Sequence, residues 1–108
     1  MSVPNPVSGS GVIAASGGTL VIQNPTGATL VTFEQLFRGT APATCSITIQ
    51  GRMAGGTADA AANTDTTVTA TITAVTFTKS YGGLLVTATW TGGDGTTQFN
   101  VNWQMGLK

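Results

Sequence analysis

The sequence predicts an all-β fold: an antiparallel β-sandwich, jelly-roll-like, of six to seven strands with an extended N-terminal arm. Three observations predict it. Ala43–Met53 alternates, with Cys45, Ile47 and Ile49 on one face and Thr44, Ser46, Thr48 and Gln50 on the other, the period-two pattern of a half-buried strand. Further short runs rich in β-branched residues recur at regular spacing between Gly, Pro, Asn and Asp clusters, as in sandwiches and barrels. No long helical period competes with them.

In chain order, Met1–Gly11 (MSVPNPVSGSG) reads as an arm, because Pro4 and Pro6 favour extended backbone and Gly and Ser follow. Residues 12–108 then form a single domain. Val12–Ala15 and Thr19–Gln23 are short strands parted by Ser16-Gly17-Gly18, and Asn24-Pro25-Thr26-Gly27 is a turn. Ala28–Arg38 places Val31, Phe33 and Phe37 on one face, with Leu30 and Leu36 on the polar one. Either both faces are partly covered or a bulge shifts the register. Gly39–Pro42 turns the chain into the central strand.

Ala54–Asp65 has no period and many small residues, which reads as a surface loop, with a short helix over Ala58–Ala62 as the alternative. Thr67–Thr78 carries the longest strand signal. Val68, Ala70 and Ile72 share its apolar face before the phase changes at Ala74-Val75, so a bulge is expected near Ala74. Lys79–Gly83 is a turn. Leu84–Trp90 groups Leu84, Val86, Ala88 and Trp90. Gly92-Gly93-Asp94-Gly95 is a hairpin signal, and Gln98–Met105 closes the domain with Phe99, Val101, Trp103 and Met105 inward.

Composition sets limits on function. The 108 residues suffice for one core. Charged residues make up 7%, against about 25% in an ordinary soluble domain. Thr, Ser, Asn, Gln and Gly must therefore cover the surface, as in a Thr-rich β-protein or one whose faces pack against copies or a partner. Net charge is zero, so no basic footprint for nucleic acid or anionic lipid is present. No apolar run reaches the ~20 residues of a spanning helix, and the N-terminus lacks the features of a signal peptide. The single cysteine, Cys45, lies on an apolar strand face and reads as a buried structural thiol.

The residues that carry chemistry form no catalytic set. Histidine is absent, which removes the commonest general base and metal ligand. The acids are Glu34, Asp59, Asp65 and Asp94; Asp59 with Asp94 is the pair a glycosidase-like site would need. Asp59, Asn63 and Asp65 offer three oxygen ligands, at a spacing that does not match a calcium-binding loop. The Gly-rich segments lack the lysine and following helix of a phosphate loop. No cofactor is expected. Trp90 and Trp103 are phased with the core, whereas Tyr81, in a turn, is the candidate exposed contact for a ligand such as a glycan. Thr67, Thr69, Thr71 and Thr73 form a ladder on one strand; threonine is a strong strand former, and ice-binding surfaces use such arrays.

The order GVIAASGGTLVIQNPTGA, a strand ending in FRGT, CSITIQGRM with a Gly-rich loop, and YGGLLVTATWTGGDGTTQFNVNWQM resembles small β-sandwich proteins of tailed bacteriophage virions. The resemblance spans most of residues 11–105 and rests on turns and strand phases. Two departures stand out: the middle turn Gly51–Gly56 has no Asp, and Leu85-Val86 occupies a place where an Arg is common in the family. The resemblance implies a non-enzymatic virion structural protein, assembled in the host cytoplasm. Its leading form is a capsid decoration (cement) protein that oligomerises, plausibly as a trimer, on the major capsid protein. A tail, neck or baseplate component is the alternative, and a carbohydrate-binding module for the host surface is the alternative of another class. The expected contacts are Val3, Pro4, Asn5, Pro6 and Val7 of the arm, with Asp59, Asn63 and Asp65 of the loop.

Overall fold

The computed structural model describes residues 8–25, 27–53 and 56–105. Eight strands, where six to seven were expected, follow one another: β1 (Ser8–Ile13), β2 (Gly18–Gln23), β3 (Leu30–Arg38), β4 (Thr44–Arg52), β5 (Ala58–Asp65), β6 (Thr71–Thr76), β7 (Gly83–Thr91) and β8 (Gln98–Met105). They form two four-stranded sheets, ordered β1-β8-β3-β6 and β2-β7-β4-β5. All pairings are antiparallel. Every link except β4–β5 carries the chain from one sheet to the other, which is the wiring of a jelly roll.

The alternation in the sequence decides which face is buried. Val31 and Phe33 of β3, Ile47 and Ile49 of β4, Leu84, Val86 and Ala88 of β7, and Phe99, Val101 and Met105 of β8 meet between the sheets. Each such large side chain contributes roughly 1.5–3 kcal/mol of gross burial. At one end Phe37 packs edge-on against Trp90 (ring centroids 5.5 Å apart) and against Phe99 (5.3 Å). Trp90 and Trp103 both pack, partly buried, against the core. Cys45 is buried, its Sγ 3.4 Å from the Thr67 carbonyl oxygen. Burial pushes its thiol pKa up, and Asp65 adds to the shift.

Several expectations are corrected. Ser8–Gly11, assigned to the arm, belong to β1 and pair with β8; their Gly/Ser composition hid a strand held by backbone pairing. Ala58–Asp65, read as a loop or short helix, is edge strand β5. Two register shifts against β4 scramble its side-chain alternation, which is why no period shows. The bulge expected near Ala74 is absent: β6 pairs with β3 in unbroken register and begins at Thr71. Val75 is buried and Ile72 faces out, 70% exposed. On an edge strand the core fades at the rim, so Thr71 and Thr73 take the inward positions. The Gly92–Gly95 turn is no hairpin, because β7 and β8 lie in different sheets. Gly92 and Gly93, with φ of 80° and 72°, turn the corner between them.

Candidate functional site

Three surfaces bring polar chemistry together. The first lies where β5 meets the β6–β7 link. Tyr81 follows the chain out of β6 and turns its ring back into the sandwich, edge-on to Phe77 (ring centroids 6.0 Å apart). The ring occupies the space above Gly51 on β4, where a β-carbon would collide with it. The Tyr81 hydroxyl donates to Asp59 Oδ2 at 2.6 Å, and Lys79 Nζ donates to the same oxygen at 3.1 Å. Asp59 Oδ1 accepts from the Ala60 N–H at 2.8 Å, and Gln50 Nε2 reaches the Asp59 carbonyl oxygen at 2.9 Å.

These donors, Tyr81 first, then the Ala60 N–H and Lys79, hold the Asp59 carboxyl down at about 2. The same hydrogen bond to Asp59 raises the pKa of Tyr81, as Asp59 does for Lys79. Beside the cluster is an open hollow of about 440 Å³, lined in part by Ala61, Thr76 and Phe77. With Asp59 already holding two side-chain donors, the cluster reads as a latch tying edge strand β5 to the β6–β7 link.

The second surface is the β7–β8 corner. Asp94 accepts from Thr40 Oγ1 at 2.7 Å and from the Thr96 N–H and hydroxyl at 2.8 and 2.5 Å. The Thr96 and Thr40 hydroxyls lower its pKa. Asp59 sits near the Arg52 end of β4 and Asp94 near the Thr44 end. The length of that strand, roughly 25–30 Å at ~3.4 Å per residue, is too far for one glycosidic bond.

The third surface is the outer face of the β2-β7-β4-β5 sheet. Thr19, Thr87, Thr48 and Thr64 stand side by side, one from each strand. Ser46 with Thr89, and Thr44 with Thr91, form the next two pairs. Arg52 is the charged residue of the described outward positions on β2, β7 and β4, and it lies at the edge of the field. On the other sheet the outward positions of β1, β8, β3 and β6 carry Glu34 and Arg38, with Asn102 Nδ2 donating to Glu34 Oε1 at 2.8 Å.

The structure sorts the expected site residues. Val3, Pro4, Asn5, Pro6 and Val7 lie outside the described residues. Asp59 joins the latch. Asn63 lies on β5 opposite Ile49, and Asp65 caps the Thr67 N–H at 2.8 Å, so the three oxygen donors do not converge. Among the described residues no three His, Cys, Asp or Glu side chains group to hold a metal. Tyr81, expected exposed, is 8% exposed and its hydroxyl is engaged; the turn residues flanking it gave no sign that its ring folds inward. Gly51, read as the end of its strand and the start of the middle turn, lies inside β4; it was the available signal, because an isolated strand glycine marks a close approach. The threonine row escaped because its members come from four strands, whereas the sequence showed a ladder on one.

No family model matches the chain, and no curated protein matches it. Among solved structures it is similar to PirA, with a TM-score of 0.52 and 15% identity, covering 90% of this chain and 92% of that one. A Bacillus endospore appendage pilus matches at 0.48 and 14%, covering 96% and 90%. A mitogen from Yersinia pseudotuberculosis matches at 0.47 and 8%, covering 98% and 90%. At 15% identity the likeness to PirA shows the fold alone.

Proposed function

We propose that this chain is a structural subunit that works through its surfaces within a larger assembly, and that the assembly is a phage virion, with capsid decoration as its leading role. The observation that carries the reading is the uncharged field on the outward positions of β2, β7 and β4. Threonine, serine and glutamine line it together with Val21 and Leu85, and Arg52 lies at its rim as the charged residue among the described ones. Faces of this kind keep little electrostatic repulsion between copies, and depletion of charge marks the buried centre of an interface. Many copies, each binding the assembled state, would stabilise it by mass action.

An enzymatic role finds no support in the geometry. Asp59 and Asp94 are separated, and each is occupied by its own donors. The glycan-binding alternative loses its key contact, because Tyr81 is buried.

The test is the copy number of this chain relative to the major capsid protein in purified particles, by quantitative mass spectrometry. A ratio near one, or a simple fraction of it, supports decoration. A ratio of a few per cent moves the chain to the tail or neck, and absence from particles overturns the virion reading.

A further inference from the structure

Four strands form the open edges of the sheets: β1 and β6 of one, β2 and β5 of the other. An open edge presents unpaired N–H and C=O groups to any other strand, and proteins ordinarily guard it with charge, proline or bulges. Here β5 is guarded, by Asp59, Asp65 and two register shifts. The first four residues of β1 are all serine or glycine, poor strand formers with little side chain to bury against a partner. β2 and β6 carry neither charge, proline nor register shift, and of the two β6 is the richer in β-branched residues and bears the more exposed large side chain. β6 reads Thr71-Ile72-Thr73-Ala74-Val75-Thr76, with five β-branched residues of six and neither charge nor proline. It also bears Ile72, at 70% the most exposed of the large hydrophobic residues among those described.

The hydrogen-bond phase of that edge follows from one contact. The Phe77 N–H donates to the Thr29 carbonyl oxygen at 2.7 Å, so Phe77 and Thr29 are a hydrogen-bonded pair. In an antiparallel ladder such pairs alternate. Thr71, Thr73 and Val75 therefore bond to β3, while the N–H and C=O of Ile72, Ala74 and Thr76 point away from it, to the open side. This array is self-complementary about Ala74. A second copy turned by a twofold axis through Ala74 places Ala74 opposite Ala74, and Ile72 opposite the second copy's Thr76. All three residues then meet as hydrogen-bonded pairs. Alanine puts no bulk on the axis. Across the seam, one row reads Glu34, Ile72, then Thr76 and Leu30 of the second copy, which brings Ile72 and the half-exposed Leu30 into one stripe.

We infer that β6 is a self-association seam: two copies of this chain join antiparallel, β6 to β6 about Ala74, into one continuous eight-stranded sheet. The occupant is a second copy because the edge complements itself in hydrogen-bond phase, charge and side-chain size. The inference rests on the reading of the chain as an assembly subunit, and makes a pair rather than a ring of three its unit.

The test is the solution mass of the purified full chain by light scattering, with three variants. Wild type should give twice the 10.8 kDa of one chain. Ala74→Lys, which sets two like charges on the axis, should give the monomer mass with an unchanged circular dichroism spectrum. Ala74→Pro should do the same, since the Ala74 N–H takes no part in the β3 ladder and edge prolines are tolerated there. In a Cys45→Ala background, Ala74→Cys should oxidise to a covalent dimer, because hydrogen-bonded pairs lie about 5.5 Å apart, within disulfide reach. Ile72→Cys should not, as its twin lies about 13 Å away along the strand at ~3.4 Å per residue.

A monomeric wild type overturns the seam. So does an oligomer that keeps its mass in Ala74→Lys, or equal cross-linking at both positions; a persistent oligomer leaves the assembly reading standing on another surface. A pair that forms as described, in a chain missing from purified particles, keeps the seam and removes the virion reading.

Discussion

Tyr81 and Asp59 are joined by a 2.6 Å hydrogen bond from phenol to carboxylate, and the bond spans the two sheets' neighbouring edges. Tyr81 belongs to the link leaving β6, the edge of one sheet; Asp59 belongs to β5, the edge of the other. β5 is otherwise poorly held. It is alanine-rich, exposed along most of its length and shifted twice in register. The latch supplies from side chains what the ladder lacks.

The latch makes stability depend on pH at both extremes. Asp59 has a folded pKa of about 2, below its ordinary value of 3.8. A depressed carboxylate contributes stability that is whole above the unfolded pKa and is lost as pH falls through the folded one. Wild type should therefore exceed Asp59→Asn in Tm above pH 4, and the two should converge as pH approaches 2. Tyr81 is shifted upward, chiefly by its bond to Asp59, so its contribution is whole below pH 10 and lost above. Thermal melts of both proteins across the acid range check the first. A constant gap between them down to pH 2 would refute it.

Gly51 gives the second prediction. A β-carbon there overlaps the Tyr81 ring, and neither the ring, held by Phe77 and Asp59, nor the central strand can retreat freely. Gly51→Ala should destabilise by about 1–3 kcal/mol, the usual cost of overpacking. Urea denaturation measures it. In a Tyr81→Ala background the same substitution should cost much less, because the two residues share one space.

How far the sequence could be read follows from where its signals arise. β4, β7 and β8 alternate cleanly because both neighbours of each are strands of the same sheet and most of the inner face is buried. β5 and β6 sit at edges, where burial is incomplete. There threonine can face in and isoleucine can face out, and the pattern inverts. Sheet membership was hidden for a different reason. Gly92 and Gly93 fix a reversal of the chain, yet a corner between sheets and a hairpin within one use the same residues. The Asp59–Tyr81 contact joins residues 22 apart, and only the sheet order brings them together.

Asn24 supports the third prediction. It is 2% exposed, and its whole amide is used: Nδ2 donates to the carbonyl oxygens of Ala28 (3.1 Å) and Tyr81 (2.8 Å), while Oδ1 accepts from the Ala28 N–H (3.1 Å). One side chain thus closes the β2–β3 turn and pins the Tyr81 backbone. Asn24→Ala leaves those groups without partners in the interior, which should cost about 1–3 kcal/mol. Asn24→Asp keeps the acceptor for Ala28 but loses both donors and sets a charge against two carbonyl oxygens. It should be the more damaging of the two at neutral pH, and should recover part of the loss in acid, as thermal melts at the two pH values would show.

Gln35 gives the last prediction, of opposite sign. It occupies an inward position on β3, between Phe33 and Phe37, and is 3% exposed. Neither its amide nitrogen nor its amide oxygen has a hydrogen-bond partner among the described residues. Burying an unpaired amide costs about 1–3 kcal/mol by mutational measures, so this site works against the fold. Methionine has nearly the same length and flexibility and no amide to desolvate. Gln35→Met should therefore raise stability by about 1 kcal/mol or more, seen as a higher Tm and an unchanged denaturant slope. Gln35→Ala removes the same unpaired groups but opens a cavity, so it should fall well below Gln35→Met. A Gln35→Met variant less stable than wild type would mean that the amide is satisfied in solution, with ordered water as the available partner, since a buried water characteristically serves such groups.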